Sequence, residues 1–216
     1  MKKLVVANWK MNPQNLTEAK LLFDSVKRGI GIKDVKNVEV VICPPFVYLP
    51  YLLKPKTSNL KPKLGAQDCF WEDSNPPTTL PLKRAPKGAF TGEISPLMLK
   101  NLGCEYIIIG HSERRKLGET DEMINKKIKA VIATKLNPIL CIGETEKERK
   151  QGKTFQVLKQ QINEDLKNLT PDTYNLKPLV IAYEPVWAIG TGNPCSPAEA
   201  KKVYLFLRKI SHQLIN

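Results

Sequence analysis

The sequence predicts an α/β fold, a parallel sheet covered by helices of the (β/α)₈-barrel kind, on three observations. Short apolar runs alternate with longer stretches of helical period from one end of the chain to the other. No glycine-rich turn follows the first run, where Asn8-Trp9-Lys10-Met11-Asn12 stands instead, so an open doubly wound sheet is the poorer reading. Polar residues with chemical capability stand directly after several runs, where a barrel of this kind gathers its site.

The apolar runs suited to buried parallel strands are Leu4–Ala7, Val38–Cys43, Lys63–Ala66, Tyr106–Ile109, Pro138–Ile142 and Leu179–Ala182. Between and after them, helical period covers Thr17–Arg28, Tyr48–Leu53, Ser95–Asn101, Thr120–Thr134, Glu146–Leu169 and Ser196–Ile215. Ser95-Pro96 and Ser196-Pro197 each place a hydroxyl at the N-cap and proline at the first helical position, and Glu199 completes a capping box with Ser196. About six βα units are therefore expected in one domain over residues 1–216, with no internal repeat beyond the unit itself. The rhythm breaks once. Residues 71–86, rich in proline, threonine and serine, lie in a third connection much longer than the ~2–6 residues usual in such units, and read as an insertion.

Composition narrows the function classes. With 42% apolar and 25% charged residues the chain is ordinary globular protein. No apolar run approaches the ~20 residues of a membrane-spanning helix, and the N-terminal run ends at Ala7, too short for an export signal. The five cysteines, Cys43, Cys69, Cys104, Cys141 and Cys195, are scattered and contain no CxxC pair, which suits free thiols in a reducing, cytoplasmic compartment and no zinc site. The net charge of +13 suits either nucleic acid or a small anionic substrate. Lysines spread along the chain without an aromatic-rich basic stripe, so a generally basic surface is the expectation and nucleic acid is not.

The strand-end rule selects the chemistry. The first run delivers Asn8 and Lys10, the fourth delivers Gly110-His111-Ser112-Glu113-Arg114, and the sixth delivers Tyr183-Glu184-Pro185-Val186-Trp187. Taken singly each has a plain alternative: Lys10 snorkels to solvent, His111 is a satisfied structural histidine, Glu184 is a solvated loop acid. Together they suit proton abstraction beside a carbonyl. Glu184 acts as general base, with Pro185 restricting its backbone. If the stretch beginning Ser112-Glu113 is helical, its N-terminal dipole disfavours an imidazolium, so neutral His111 donates to the carbonyl oxygen. Lys10 supplies positive charge to the developing enediolate and Asn8 a further polar contact. His212, near the end of the last helix, reads as a surface residue. Ala188-Ile189-Gly190-Thr191-Gly192 reads as a lid whose apolar tip excludes water, with the Gly190 N–H free to approach a phosphate. No metal ligand set and no cofactor motif is apparent.

Four stretches closely resemble the triosephosphate isomerase family: Ala7-Asn8-Trp9-Lys10-Met11-Asn12, Gly88–Ser95, Ile109–Arg115 and Ala182–Gly192. The resemblance runs from Lys3 to about Ser211. It implies a TIM-type barrel and the interconversion of dihydroxyacetone phosphate and D-glyceraldehyde 3-phosphate in glycolysis and gluconeogenesis. A base at Glu184 with a neutral histidine electrophile and a closing loop is the general pattern of this enzyme. By resemblance Asn8 and Lys10 bind substrate, Gly190 contacts phosphate, Glu113 is a further active-site acid with Ser112 beside it, and Thr91 sits in a loop that docks on a second copy, giving a homodimer. The Asn193-Pro194-Cys195 hinge is an unusual variant. Two further βα units, carrying a serine and a glycine pair for the phosphate, are expected of the family and are not in residues 1–216. The sequence thus reads as a fragment of the barrel, with little turnover of its own and with exposed strand edges. The alternative function is a barrel remnant that binds phosphorylated ligands without turnover.

Overall fold

The computed structural model describes residues 3–32, 37–53, 62–71, 88–169 and 179–215, with the side chains of 32 and 212–215 left aside. The insertion at 71–86 beyond Trp71, and the side chain of His212, therefore lie outside the described residues. Among the described residues packing divides into two compact units, one of those up to Phe70 with Gly88–Ile108, the other of Trp71 with those from Ile109 onward.

The first unit opens with β1 (Lys3–Asn8), α1 (Leu16–Ile32) and β2 (Val38–Cys43), continues through α2 (Leu49–Leu52) and β3 (Lys63–Ala66), and ends with α3 (Pro96–Leu102) and all but the last residue of β4 (Tyr106–Ile109). Neighbouring strands pair in parallel, Lys3 opposite Val38, Val41 opposite Lys63 and Gly65 opposite Tyr106. Parallel pairing requires crossovers, which α1, α2 and α3 supply. Their starts follow local chemistry. Asn15 Oδ1 accepts from the Glu18 N–H while Glu18 accepts from the Asn15 amide, a reciprocal cap on α1. Ser95 caps α3 through Met98 N–H, and Gly103 at φ 102° ends that helix. Val41, Ile42, Cys43, Leu49, Ala66, Leu99 and Ile107 are fully buried. Burial pushes the thiols of Cys43 and Cys104 up to about 12, so both are inert as nucleophiles at neutral pH.

The second unit carries α4 (Ser112–Lys116), α5 (Asp121–Ala133), β5 (Asn137–Ile142), α6 (Glu146–Lys150), α7 (Thr154–Asp165), β6 (Val180–Tyr183) and α8 (Pro197–Ile215). β5 and β6 pair in parallel from Ile139 opposite Val180 to Ile142 opposite Tyr183. Ile124, Ile128, Val131, Leu140, Leu158 and Ile162 form its core. Within it Lys127 and Glu119, each 2% exposed at the side chain, make an ion pair, with Lys127 Nζ 5.8 Å from the Trp71 ring centroid. Removing one partner of such a pair costs about 3–5 kcal/mol, because the other charge stays buried.

One expectation from the sequence needs adjustment. Glu146–Leu169 is two helices rather than one. Thr145 caps α6 through a box with Glu148, and Gly152 at φ 69° turns the chain before α7 begins. At α8 the capping box is present as expected: Ser196 Oγ accepts from the Glu199 N–H, and the Glu199 carboxylate accepts from the Ser196 hydroxyl at 3.0 Å and from the Ser196 backbone N–H. That carboxylate also pairs with Arg149. All five cysteines are free thiols.

Candidate active site

Each unit ends its strands in polar residues, and the denser set is in the second. β4 leads into Gly110, whose φ of 71° turns the chain sharply before His111. A Cβ there would lie 3.1 Å from both Arg115 and Ile124 and 3.2 Å from the Cys141 carbonyl, so conformation and space both call for glycine. His111 is then the N-cap of α4, and the stretch after it is helical. Its Nδ1 accepts a hydrogen bond from the Glu113 N–H at 3.2 Å. A ring nitrogen that accepts carries no proton, so this arrangement is the neutral tautomer with hydrogen on Nε2. Nε2 lies 2.7 Å from Glu184 Oε1. The other carboxylate oxygen, Oε2, accepts from the Ser112 N–H at 2.8 Å. Both oxygens of Glu184 are thus placed, one by an imidazole and one by the first amide of a helix. The side chains of His111 and Glu184 are 11% and 14% exposed.

The backbone of Glu184 is equally fixed. Its N–H donates to the Ile142 carbonyl at 2.8 Å, carrying the β5–β6 ladder one residue past β6. A Cβ on Gly143 would stand 1.7 Å from the Glu184 carbonyl oxygen, so only glycine lets the two strand ends approach. Gln161 on α7 holds Gly143 from both sides, accepting from its N–H at 2.9 Å and donating to its carbonyl at 3.3 Å. A cavity of about 240 Å³ adjoins this support, lined in part by Gly110, Ser112, Arg115, Gly143, Gln161 and Glu184.

Beyond Glu184 a fully buried carboxylate organises the start of the next loop. Glu144 accepts from the Tyr183 hydroxyl at 3.0 Å, from Trp187 Nε1 at 3.0 Å and from the Thr154 hydroxyl at 3.2 Å. Arg149 stacks over the Trp187 ring at 3.8 Å and reaches within 3.6 Å of Glu144. Burial beside Glu144 holds the Tyr183 phenol well above its ordinary range, so it stays a donor. Past this anchor, Gly190 at φ 73° and Gly192 at φ 75° lie in an exposed stretch. Glu144→Gln places an amide donor opposite donors and is expected to cost about 1–3 kcal/mol of stability, read as a lower melting temperature. An unchanged melting temperature would remove Glu144 as the anchor.

In the first unit, Asn8 and Lys10 meet at the end of β1. Lys10 has φ 56°, rare for a residue with a side chain, and such a position costs on the order of 1–3 kcal/mol. Its surroundings hold it there: Asn8 Oδ1 accepts from the Lys10 N–H at 2.9 Å, and Gln67 Nε2 donates to the carbonyls of Lys10 and Cys43, each at 2.9 Å. Thr91 is exposed in the turn that follows Phe90, whose ring lies 5.0 Å from that of Phe70.

The geometry brings together His111, Ser112, Glu113 and Glu184 in one unit and Asn8 with Lys10 in the other. The Glu113 carboxylate is half exposed, 3.6 Å from His111 Nδ1. Sequence reasoning missed Glu144, Arg149, Gln161 and Gln67. The signal for Glu144 and Gln67 is present in the sequence, since both follow apolar runs as His111 does. Among the described residues, no group of three or more His, Cys, Asp or Glu is arranged to hold a metal ion.

The family model for triosephosphate isomerase matches residues 3–216. The triosephosphate isomerase of Endomicrobium trichonymphae is 44% identical over 214 residues, 99% of this chain and 78% of the relative. Those of Alkaliphilus metalliredigens and Aquifex aeolicus are 45% and 42% identical over 97% and 99% of this chain, covering 77% and 79% of their own lengths. The fold class is accordingly the α/β barrel type that the alternation of runs predicts. With parallel βα units, a histidine and a glutamate in contact at strand ends, and likeness over nearly its whole length, the chain belongs to the triosephosphate isomerase family.

Proposed function

We infer that the protein is an isomerase that interconverts dihydroxyacetone phosphate and D-glyceraldehyde 3-phosphate by moving a proton between adjacent carbons. The observation that carries the reading is the 2.7 Å contact of His111 Nε2 with Glu184 Oε1 while Nδ1 is occupied by the Glu113 N–H. A carboxylate base and a neutral N–H donor already face each other, the pair needed to take a proton beside a carbonyl and to receive the charge that appears on its oxygen. Glu184 removes the carbon-bound proton and the electron pair shifts toward the carbonyl oxygen. His111 donates to that oxygen in the enediolate; the hydroxyl proton passes to the former carbonyl oxygen, and Glu184 returns its proton to the former carbonyl carbon, so that the carbonyl ends on the neighbouring carbon.

Lys10 and Asn8 bind the substrate, Lys10 adding positive charge, and the Gly190 N–H contacts the phosphate. Ser112 supports through its backbone amide, which holds Glu184, and Glu113 through the amide that fixes the His111 tautomer. The net charge of +13 favours encounter with a phosphorylated anion. Thr91, exposed at its turn, is the contact for a second copy, making a homodimer. Free thiols suit a cytoplasmic protein of glycolysis and gluconeogenesis; among the described residues no helix is long and apolar enough to cross a membrane.

The test is turnover of glyceraldehyde 3-phosphate in deuterated water, with the mass in solution measured on the same sample. Ketose product carrying deuterium on the carbon that received the proton is expected. Binding of the triose phosphate without turnover or exchange would overturn the isomerase reading.

A further inference from the structure

We infer that Arg115 is a positioning residue that sets the distance between His111 and Glu184 through the backbone of both strand ends. Its Nε donates to the Gly110 carbonyl at 2.9 Å, immediately before His111. One Nη2 bond reaches the Cys141 carbonyl at 3.3 Å, in the strand that pairs with β6. The next residue, Ile142, accepts the backbone N–H of Glu184. A single planar group therefore bridges the turn that presents the histidine and the strand that aligns the glutamate. A guanidinium holds its donors in a fixed fork, so it transmits an angle as well as a distance, whereas an ammonium is a point charge on a flexible stem.

The fork is itself fixed. Nη2 also pairs with Asp165 Oδ2 at 2.7 Å and Nη1 with Asp121 Oδ1 at 2.5 Å. Asp165 is fully buried and its Oδ1 has no hydrogen-bond partner, so the guanidinium is its principal compensation. Burial, with the neighbouring Asp121 carboxylate, pushes this carboxyl up to about 8 against the pull of Arg115. A cluster serving stability alone needs only the two acids. The bonds to Gly110 and Cys141 add the reacting strand ends to it.

The inference rests on the roles given to His111 and Glu184, and the experiment separates the two. Arg115→Lys keeps a positive charge for Asp165 and loses the fork. It is expected to lower kcat about tenfold or more, with KM nearly unchanged, in protein whose circular dichroism is native. If the effect passes through His111, the same change in a His111→Gln background adds less than about twofold, the non-additivity of coupled residues. Should Arg115→Lys fail to fold, Asp121→Ala removes the acceptor of the Nη1 arm at a part-exposed position and is expected to lower kcat in the same sense by a smaller factor. Wild-type kcat in the folded variant, or full additivity with His111→Gln, overturns the inference. If Glu184→Asp and His111→Gln themselves turn over normally, the catalytic reading fails first and Arg115 has no pair to position.

Discussion

Glu184→Asp is expected to lower kcat about a hundredfold while leaving KM within a small factor, as a displacement near 1 Å does at a reacting group. The reason lies in how little the surroundings can follow. In the wild type, Glu184 Oε1 meets His111 Nε2 at 2.7 Å and Oε2 meets the Ser112 N–H at 2.8 Å. Removing one methylene retracts both oxygens, and recovery would require the backbone to advance. That movement is blocked. The Glu184 N–H is committed to Ile142, and its carbonyl already stands where a Cβ on Gly143 would be. Gln161 in turn pins Gly143 from two sides. In the proposed reading substrate is held by Lys10, Asn8 and the Gly190 N–H and not through this carboxylate, so affinity is expected to be spared. Steady-state kinetics of both versions decide it: equal kcat values would remove Glu184 from the role of base.

The sequence made the strands and the candidate residues at their ends legible for a shared physical cause. Buried parallel strands are continuous apolar runs, so their ends are visible as the first polar residues after them, and His111 and Glu184 stand within two residues of such ends. What holds those residues was harder to see. Gly143 is ordinary in the text; only the fold reveals that a Cβ there would strike the Glu184 carbonyl. Arg115 reads as one member of the basic stretch Arg114-Arg115-Lys116, and its burial between Asp121 and Asp165 depends on a contact 50 residues away. Gln161 lies mid-helix, where an amide is normally solvated. The division of Glu146–Leu169 is marked only by Gln151-Gly152, and helical period continues on both sides of that pair.

His111→Gln is expected to lower kcat about 10²–10³-fold, the usual cost of removing one donor aimed at a developing oxyanion. The geometry gives the donor a defined state. Nδ1 accepts the Glu113 N–H at 3.2 Å, as the N-cap of α4, so hydrogen resides on Nε2, the atom facing Glu184. Neutral imidazole in this tautomer donates without first surrendering a proton to the substrate. It is also better matched to a weakly acidic enediol than an imidazolium would be. Glutamine retains an N–H donor but carries it on a flexible chain without the Nδ1 bond that aligns the ring, so a donor is present and its placement is lost. Nitrogen-15 NMR of the folded protein near neutral pH, with the imidazole labelled, reads the state directly: protonated Nε2 and unprotonated Nδ1 are expected at His111. A proton on Nδ1 would contradict the bond from Glu113. Wild-type turnover in His111→Gln would show that the carbonyl oxygen is served by another group, leaving Lys10 as the remaining source of charge at the enediolate.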